Sequence, residues 1–361
     1  MFWFNSFLGA YICFLLCLLL SYVYGENKRK KPKKLFDRIA LDEITVVIPF
    51  RNEYTNLKHL LKQIKSLKTT PRAFIFIDDH SSDNGAKLFK ALHRTDIKYI
   101  SLSSSRGKKQ AIYMGVGHAT TKYILSWDAD ISISSHYFEE ITQLEKQALT
   151  ILPVKFANTS FYDWFFEIDI DLASYMNHSF AAVKRPLLCS GANLLFEKES
   201  YTAVINLEEH QHIPSGDDAF LLRNMQRAKK TITLHALDTC AVTTPNPSNI
   251  NTFLEQRQRW FGKTLHLKDS LLNTFGIIQF MFAIGFFITL IVLLSNDPLL
   301  FLEFWLLKSV LETVLLFPFF KALKKTKLLT ILPLYGILFP IYNVILLASI
   351  FRKSEWKGRR I

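Results

Sequence analysis

The feature that most constrains this chain is an uncharged apolar and aromatic run at its start, matched by further apolar runs near its end. Phe2 to Tyr24 carries no charge and is long enough to cross a bilayer core of about 30 Å as a helix. A cleaved signal peptide would need a basic residue before the run and a small-residue cleavage site after it. Met1 to Ser6 has no basic side chain, and the run ends Ser21-Tyr22-Val23-Tyr24, so an uncleaved anchor over 1–25 is expected. Lys28-Arg29-Lys30-Lys31-Pro32-Lys33-Lys34 follows at once, in a basic juxtamembrane linker over 26–42. The positive-inside rule puts that flank in the cytoplasm, and anionic headgroups would attract it. The formal net charge of +13 is thus accounted for in part by membrane topology, without nucleic acid.

After residue 270 the chain turns apolar again. Phe275 to Ser295 and Leu299 to Phe320 are expected spans, joined by Asn296-Asp297-Pro298. Leu328 to Phe351 is a third candidate, interrupted by Pro333, Gly336 and Pro340 and flanked by the basic stretches 321–327 and 352–361. Two readings stand for it: a full crossing that leaves the tail outside, or a re-entrant segment that keeps both basic flanks inside. The membrane region is therefore set at 266–351. Lys308 and Glu312 sit four apart inside it and are expected to pair. The four cysteines have neither disulfide nor zinc spacing.

The stretch 43–265 reads as an α/β domain. Ile44 to Pro49, Phe74 to Ile77, Ile97 to Ile100 and Tyr123 to Trp127 are short apolar strand-like runs. Leu57, Leu60, Leu61 and Ile64 recur at helical spacing, and Lys87 to His93 and Gly107 to Gly117 suit helices. Such alternation predicts a mainly parallel sheet with helices on both faces, and ligands beyond the carboxyl ends of the strands. Three acidic clusters fall in telling places: Asp78-Asp79 and Asp128-Ala129-Asp130 at strand ends, and Asp217-Asp218 before a helical stretch. A single Asp pair is usually a turn or a cap. Asp128 and Asp130, one residue apart, can converge on Mg2+ or Mn2+, which prefers carboxylate and phosphate oxygens. Asp218 suits a general base. Gln256-Arg257-Gln258-Arg259-Trp260, taken alone, would be a basic interfacial helix with a Trp anchor.

Taken together, these clusters resemble the family-2 glycosyltransferases of GT-A fold. In particular they resemble membrane-bound members with the pattern D, DxD, D, QxxRW, as in ceramide glucosyltransferases, bacterial carotenoid glycosyltransferases and polysaccharide synthases. The residues that carry it are Val47 to Glu53, Asp78 to Asp83, Gly107-Lys108, Asp128 to Asp130, Ser190 to Asn193, Asp217-Asp218 and Gln256 to Trp260. The resemblance implies that Pro49, Arg51 and Glu53 line a nucleoside pocket and that Asp79 holds the base or ribose. It places Lys108 near the base or phosphates, and Asp128 and Asp130 on metal and sugar-diphosphate. Asn193 would border the donor or acceptor sugar, and Asp217 and Gln256 would bind substrate. Asp218 would be the base, with Arg259 on the diphosphate and Trp260 at the acceptor. The family's Glu-Asp is Asp217-Asp218 here, which makes Asp217 the weaker match. His210-Gln211-His212, just upstream, reads as a solvated loop.

The expectation is an inverting transfer from a nucleotide-sugar, a UDP-sugar by preference, to a lipid or lipid-linked acceptor. The setting is the cytoplasmic face of a bacterial inner membrane, with Mg2+ or Mn2+ as cofactor and no nucleic acid as partner. A processive polysaccharide synthase subunit is the alternative within enzymes. A non-catalytic membrane scaffold is the alternative outside them, and the intact acidic set argues against it.

Overall fold

A computed structural model describes the chain except for residues 1, 30–36, 91, 104–105, 158–162, 209–215, 350–354, 357–358 and 361. In chain order the elements are α1 (Phe2–Arg29), β1 (Ile44–Phe50), α2 (Tyr54–Lys65), β2 (Ala73–Asp78), α3 (Lys87–Lys90), β3 (Ile97–Ser101) and α4 (Lys108–His118). Then come β4 (Tyr123–Trp127), α5 (Tyr137–Ile141), β5 (Leu149–Ile151), β6 (Val154–Ala157), α6 (Asp163–Ala182), β7 (Asn193–Glu197), α7 (Lys198–Val204) and α8 (Asp217–Arg227). The chain continues through β8 (Ile232–Leu234), β9 (Val242–Pro245), α9 (Ile250–His266), α10 (Ser270–Asn296), α11 (Pro298–Ala322) and α12 (Leu332–Ser349), and a short strand pair, β10 (Glu355–Trp356) and β11 (Arg359–Arg360), follows.

These elements form two compact units. One comprises 32–157 and 188–245; the other comprises 1–31, 158–187 and 246–361. The stretch expected as one domain, 43–265, is shared between these two units. Its segments 158–187 and 246–265 belong with the membrane-type helices, because α6 packs along α1 and α9 packs on α12.

The first unit is built on a seven-stranded sheet of order β3-β2-β1-β4-β7-β5-β8. β1, β2, β3 and β4 run parallel, as the alternation of strands and helices predicts, and β7 inserts antiparallel between β4 and β5. The period of two in β1 divides its side chains between two cores. Val46 and Ile48 face one cluster with Leu57, Leu60 and Ile64 of α2. Val47 faces the other, with Ala111 and Val116 of α4 and Leu221 and Met225 of α8. Helices on both faces explain why all seven residues of β1 are buried and why its sequence is a continuous apolar run. The helix expected over 87–93 is only Lys87–Lys90. Phe89 is its one buried residue, Leu88 and Leu92 pack partly buried against the same core, and residue 91 lies outside the described residues.

α4 lies so close to the sheet that a Cβ on Gly115 would stand 2.5 Å from Cγ1 of Val47 and 3.3 Å from Cδ1 of Ile77. Gly115→Ala should therefore destabilise this unit by about 1–3 kcal/mol despite the better helix propensity of alanine. The check is the midpoint of unfolding in detergent, which falls if the contact is as close as described.

In the second unit, Ser6–Lys28 and Ser270–Asn296 are long and apolar enough to cross a membrane. α11 is as long but carries Glu303, Lys308 and Glu312. The expected pairing inside it is present: Lys308 Nζ donates to Glu312 Oε1 at 2.7 Å, both residues are buried, and the Tyr11 hydroxyl donates to the same carboxylate. The third candidate segment is divided into a 3-10 turn, Thr326–Thr330, and α12 of 18 residues. At 1.5 Å per residue α12 is about 27 Å long, slightly short of a bilayer core of about 30 Å.

Candidate active site

The site is assembled at the carboxyl ends of the parallel strands, where loops after β1, β2 and β4 meet the starts of α4 and α8. The loops after β1 and β2 are knitted together by short polar side chains. Asn52 adopts a left-handed φ of 52°. Its Oδ1 accepts the Ser82 N–H at 2.7 Å, and its own N–H donates to Ser81 Oγ at 2.9 Å. Asp83 accepts the N–H of Tyr54 at 2.8 Å and of Gly85 at 2.9 Å, so it caps α2 from a distant loop. Arg51 donates to the Asp79 carbonyl at 3.3 Å, and Glu53 accepts from Asn56 at 2.6 Å.

The two aspartates at the end of β2 have different tasks. Asp78 is a turn residue: it accepts the Ser81 N–H at 2.8 Å and the Tyr99 hydroxyl at 2.9 Å. The Tyr99 hydroxyl is pushed up to about 12 by burial and by that carboxylate. Asp79 is buried, and its Oδ1 accepts the Gly107 N–H at 3.0 Å. It thereby ties the glycine that starts α4 to the end of β2. Gly107 has φ 103°, a conformation side chains rarely adopt, and leads directly into Lys108.

Lys108 is the centre of the arrangement. Its Nζ lies 2.5 Å from Asp128 Oδ1 and 4.0 Å from Asp217 Oδ2, with 24% of its side chain exposed. Burial pulls the ammonium down, but Asp128, Asp217 and Asp218 together push it above its ordinary value, so it stays charged. Asp217 and Asp218 open α8, entered through Gly216 at φ 99°. Asp218 Oδ2 accepts the Gly191 N–H at 3.1 Å and its Oδ1 accepts the Ala219 N–H at 2.7 Å. A Cβ on Gly191 would stand 3.1 Å from Asp217 Oδ2 and 3.3 Å from Lys108 Nζ. Glycine is what lets the chain pass between the carboxylate and the ammonium. A pocket adjoins these groups, lined in part by Ser126, Gly191, Tyr201, Asp217, Asp218 and Phe220.

Thus Lys108, Asp128, Asp217 and Asp218 are brought together, with Asp130 two residues from Asp128 on the same loop. Two expected site residues are not. Asn193 is fully buried, and its carboxamide is spent on the fold: it accepts from the Tyr137 hydroxyl at 2.5 Å and donates to the carbonyls of Pro153 and Cys240 at 2.8 Å each. It has no face left for a sugar. Pro49 is buried within β1 opposite Ile77, so it shapes the strand end rather than lining a nucleoside pocket. Gly191, two residues before Asn193, is the member of that motif at the site, and the sequence reading passed over it. Its signal was a glycine directly before a buried strand, where a close backbone approach is the usual need. His210-Gln211-His212 lies outside the described residues.

No group of three or more carboxylate, imidazole or thiolate ligands is present among the described residues. Asp128 and Asp130 offer hard carboxylate oxygens on one loop. This fits Mg2+ or Mn2+ in the way such ions are held beside nucleotides, by one or two carboxylates with substrate phosphates completing the shell.

Gln256–Trp260 lies in α9, in the helical unit. Arg257 is 5% exposed and Trp260 38%. Gln256 Oε1 accepts from Arg257 Nη1 at 2.9 Å. Burial draws the Arg259 guanidinium below its ordinary value, with Glu255 opposing.

Comparison with known proteins agrees with this fold. The profile described as glycosyl transferase family 2 matches residues 45–179. The poly-beta-1,6-N-acetyl-D-glucosamine synthase of Staphylococcus aureus (strain COL) is 33% identical over 108 residues, 30% of this chain and 25% of that protein. The synthase of the same name from Staphylococcus epidermidis is 29% identical over 126 residues, 32% of this chain and 29% of that protein. The matched region is thus only about a quarter of the length of these curated relatives. Among solved structures, a mannosyltransferase from Pyrobaculum calidifontis, in complex with GDP-Man and Mn2+, matches with a TM-score of 0.52. Its sequence is 14% identical, and the match covers 92% of this chain and 99% of that one, which supports the GT-A fold. Residues 45–179, which carry strands β1 to β4 of the seven-stranded sheet, thus match glycosyl transferase family 2.

Proposed function

We propose that this chain is an inverting glycosyltransferase that moves one sugar from a UDP-sugar to a lipid or lipid-linked acceptor at the cytoplasmic face of a membrane. The observation that carries the reading is the convergence of Asp128, Asp217 and Asp218 on Lys108 at the strand ends. Asp128, Asp217 and Asp218 gather negative charge beside Lys108, and a divalent cation would offset it where a diphosphate binds. Asp128 and Asp130 would hold Mg2+ or Mn2+; when bound, the ion neutralises the diphosphate and improves it as a leaving group.

Asp218 takes the proton of the acceptor hydroxyl as that oxygen bonds to the anomeric carbon. The bond from that carbon to the diphosphate oxygen breaks on the opposite face, and the nucleoside diphosphate departs with the electron pair. One base suffices, and no covalent enzyme intermediate is required. Lys108 sits beside Asp128 to meet phosphate oxygens, and Arg259 and Trp260 take the diphosphate and acceptor roles that the family resemblance gives them. The two membrane-length helices support an acceptor drawn from the bilayer.

The similarity to poly-beta-1,6-N-acetyl-D-glucosamine synthases favours one second reading, in which the chain is a subunit that extends a polymer. A panel of nucleotide-sugars incubated with membranes containing the chain separates the two. The proposal expects one sugar added to a lipid-soluble product. A water-soluble polymer would favour the second reading, and no transfer from any donor would remove both.

A further inference from the structure

The motif Gln256–Trp260 contains two arginines, and only one was assigned a role above. Arg257 is the buried one. Its Nε donates to Asp169 Oδ2 at 2.6 Å, and its guanidinium lies over the rings of Phe253 at 4.4 Å and Trp260 at 4.5 Å. Phe253 in turn stacks on Phe166 of α6, with ring centroids 4.4 Å apart and planes 16° from parallel. The other oxygen of Asp169 accepts the hydroxyls of Tyr335 at 2.7 Å and Tyr342 at 3.2 Å, both from α12. One carboxylate on α6 therefore gathers α9 and α12, all within the helical unit.

Burying an ion pair is a poor way to gain stability, because both charges must be desolvated and an apolar pair would do as well. What such a pair supplies is a fixed geometry. The planar guanidinium has one orientation that satisfies Asp169 on its edge and two aromatic rings on its faces. Trp260, three residues on, lies on the same side of α9 as Arg257, while Arg259 projects about 200° around the helix from it. Holding Arg257 thus fixes the indole of Trp260 and the rotation that presents Arg259.

We infer that Asp169 and Arg257 are positioning residues for Trp260, and that the hydroxyls of Tyr335 and Tyr342 couple the placement of α12 to it. The inference deepens the proposed function and rests on it where Trp260 is given the acceptor.

The experiment uses the full chain in membranes, with the donor and acceptor that support transfer in the wild type. Asp169→Asn and Arg257→Lys are each expected to lower transfer to the acceptor about ten- to a hundredfold, as a small misplacement of a positioning group does. Donor KM and the slow release of nucleoside diphosphate to water should stay within about twofold, because an acceptor-side fault leaves donor binding intact. The double variant should be little worse than either single one, since both break the same pair. Tyr335→Phe with Tyr342→Phe keeps the ion pair and should give a smaller loss of the same kind. Wild-type transfer in Asp169→Asn, additive losses in the double variant, or donor KM rising and hydrolysis falling in step with the loss of transfer would each overturn the inference. Oxidative footprinting of Trp260 reads the pair without turnover. Protection lost in Asp169→Asn supports it, and protection retained overturns it. A wild type that transfers no sugar would count against the glycosyltransferase reading alone.

Discussion

Asp218→Asn is expected to lower sugar transfer by about a thousandfold, within the range that general base catalysis contributes, while nucleotide binding persists. The carboxylate accepts from the Gly191 and Ala219 N–H groups, one on each oxygen, and a carboxylate oxygen can accept more than one hydrogen bond. An acceptor hydroxyl can donate to one of these and then lose its proton to it. The amide of the variant keeps one accepting oxygen and turns an N–H pair toward the other backbone donor. The start of α8 should therefore loosen by about 1 kcal/mol, the worth of one ordinary hydrogen bond. That loss is small against the loss of rate, so a folded, nucleotide-binding and inactive variant is the expected result. Binding by calorimetry and release of nucleoside diphosphate measure the two properties separately. Full activity in this variant would remove Asp218 as the base.

Removal of divalent cation is expected to have an effect of similar size. Lys108 is already engaged by Asp128 at 2.5 Å, with Asp217 at 4.0 Å. A diphosphate arriving there meets carboxylates faster than it meets cations. Two like charges 4 Å apart near a protein surface repel by about 4 kcal/mol, more than one shared ammonium offsets. Chelation with EDTA should take transfer to background, and Mn2+ or Mg2+ should restore it. Asp128→Asn and Asp130→Asn should each raise the cation concentration needed for that restoration. Turnover that is indifferent to EDTA would undo the role given to this pair.

Much of the sheet was legible because its signal is local. The β-branched run Ile44 to Pro49 and the aspartates that stop β2 and β4 are each read from a few adjacent residues, and β2 and β4 end where the acidic residues begin. The Lys308–Glu312 pair was legible for the same reason, as two charges one helical turn apart in an apolar run. What was missed depends on partners far away in sequence. Asn193 looked like a sugar contact because it closes a recognisable motif, but it ties β7 to residues 40 and 47 positions away. Asp169 is one of four acidic residues in α6, and nothing near it announces Arg257, 88 positions on. The division into two compact units was not legible for the same kind of reason. α6 follows a strand as a crossover helix would, and only its packing along α1 assigns it to the helices.

The central claim is that the carboxylates around Lys108 transfer a sugar from a UDP-sugar to a lipid-type acceptor. Its most direct test is mass spectrometry of the lipid fraction after membranes carrying the chain are incubated with UDP-sugars and Mn2+, wild type beside Asp218→Asn. The account expects a lipid species heavier by one sugar residue in the wild type and its absence in the variant. The same species in both, or in neither with any nucleotide-sugar, would contradict it.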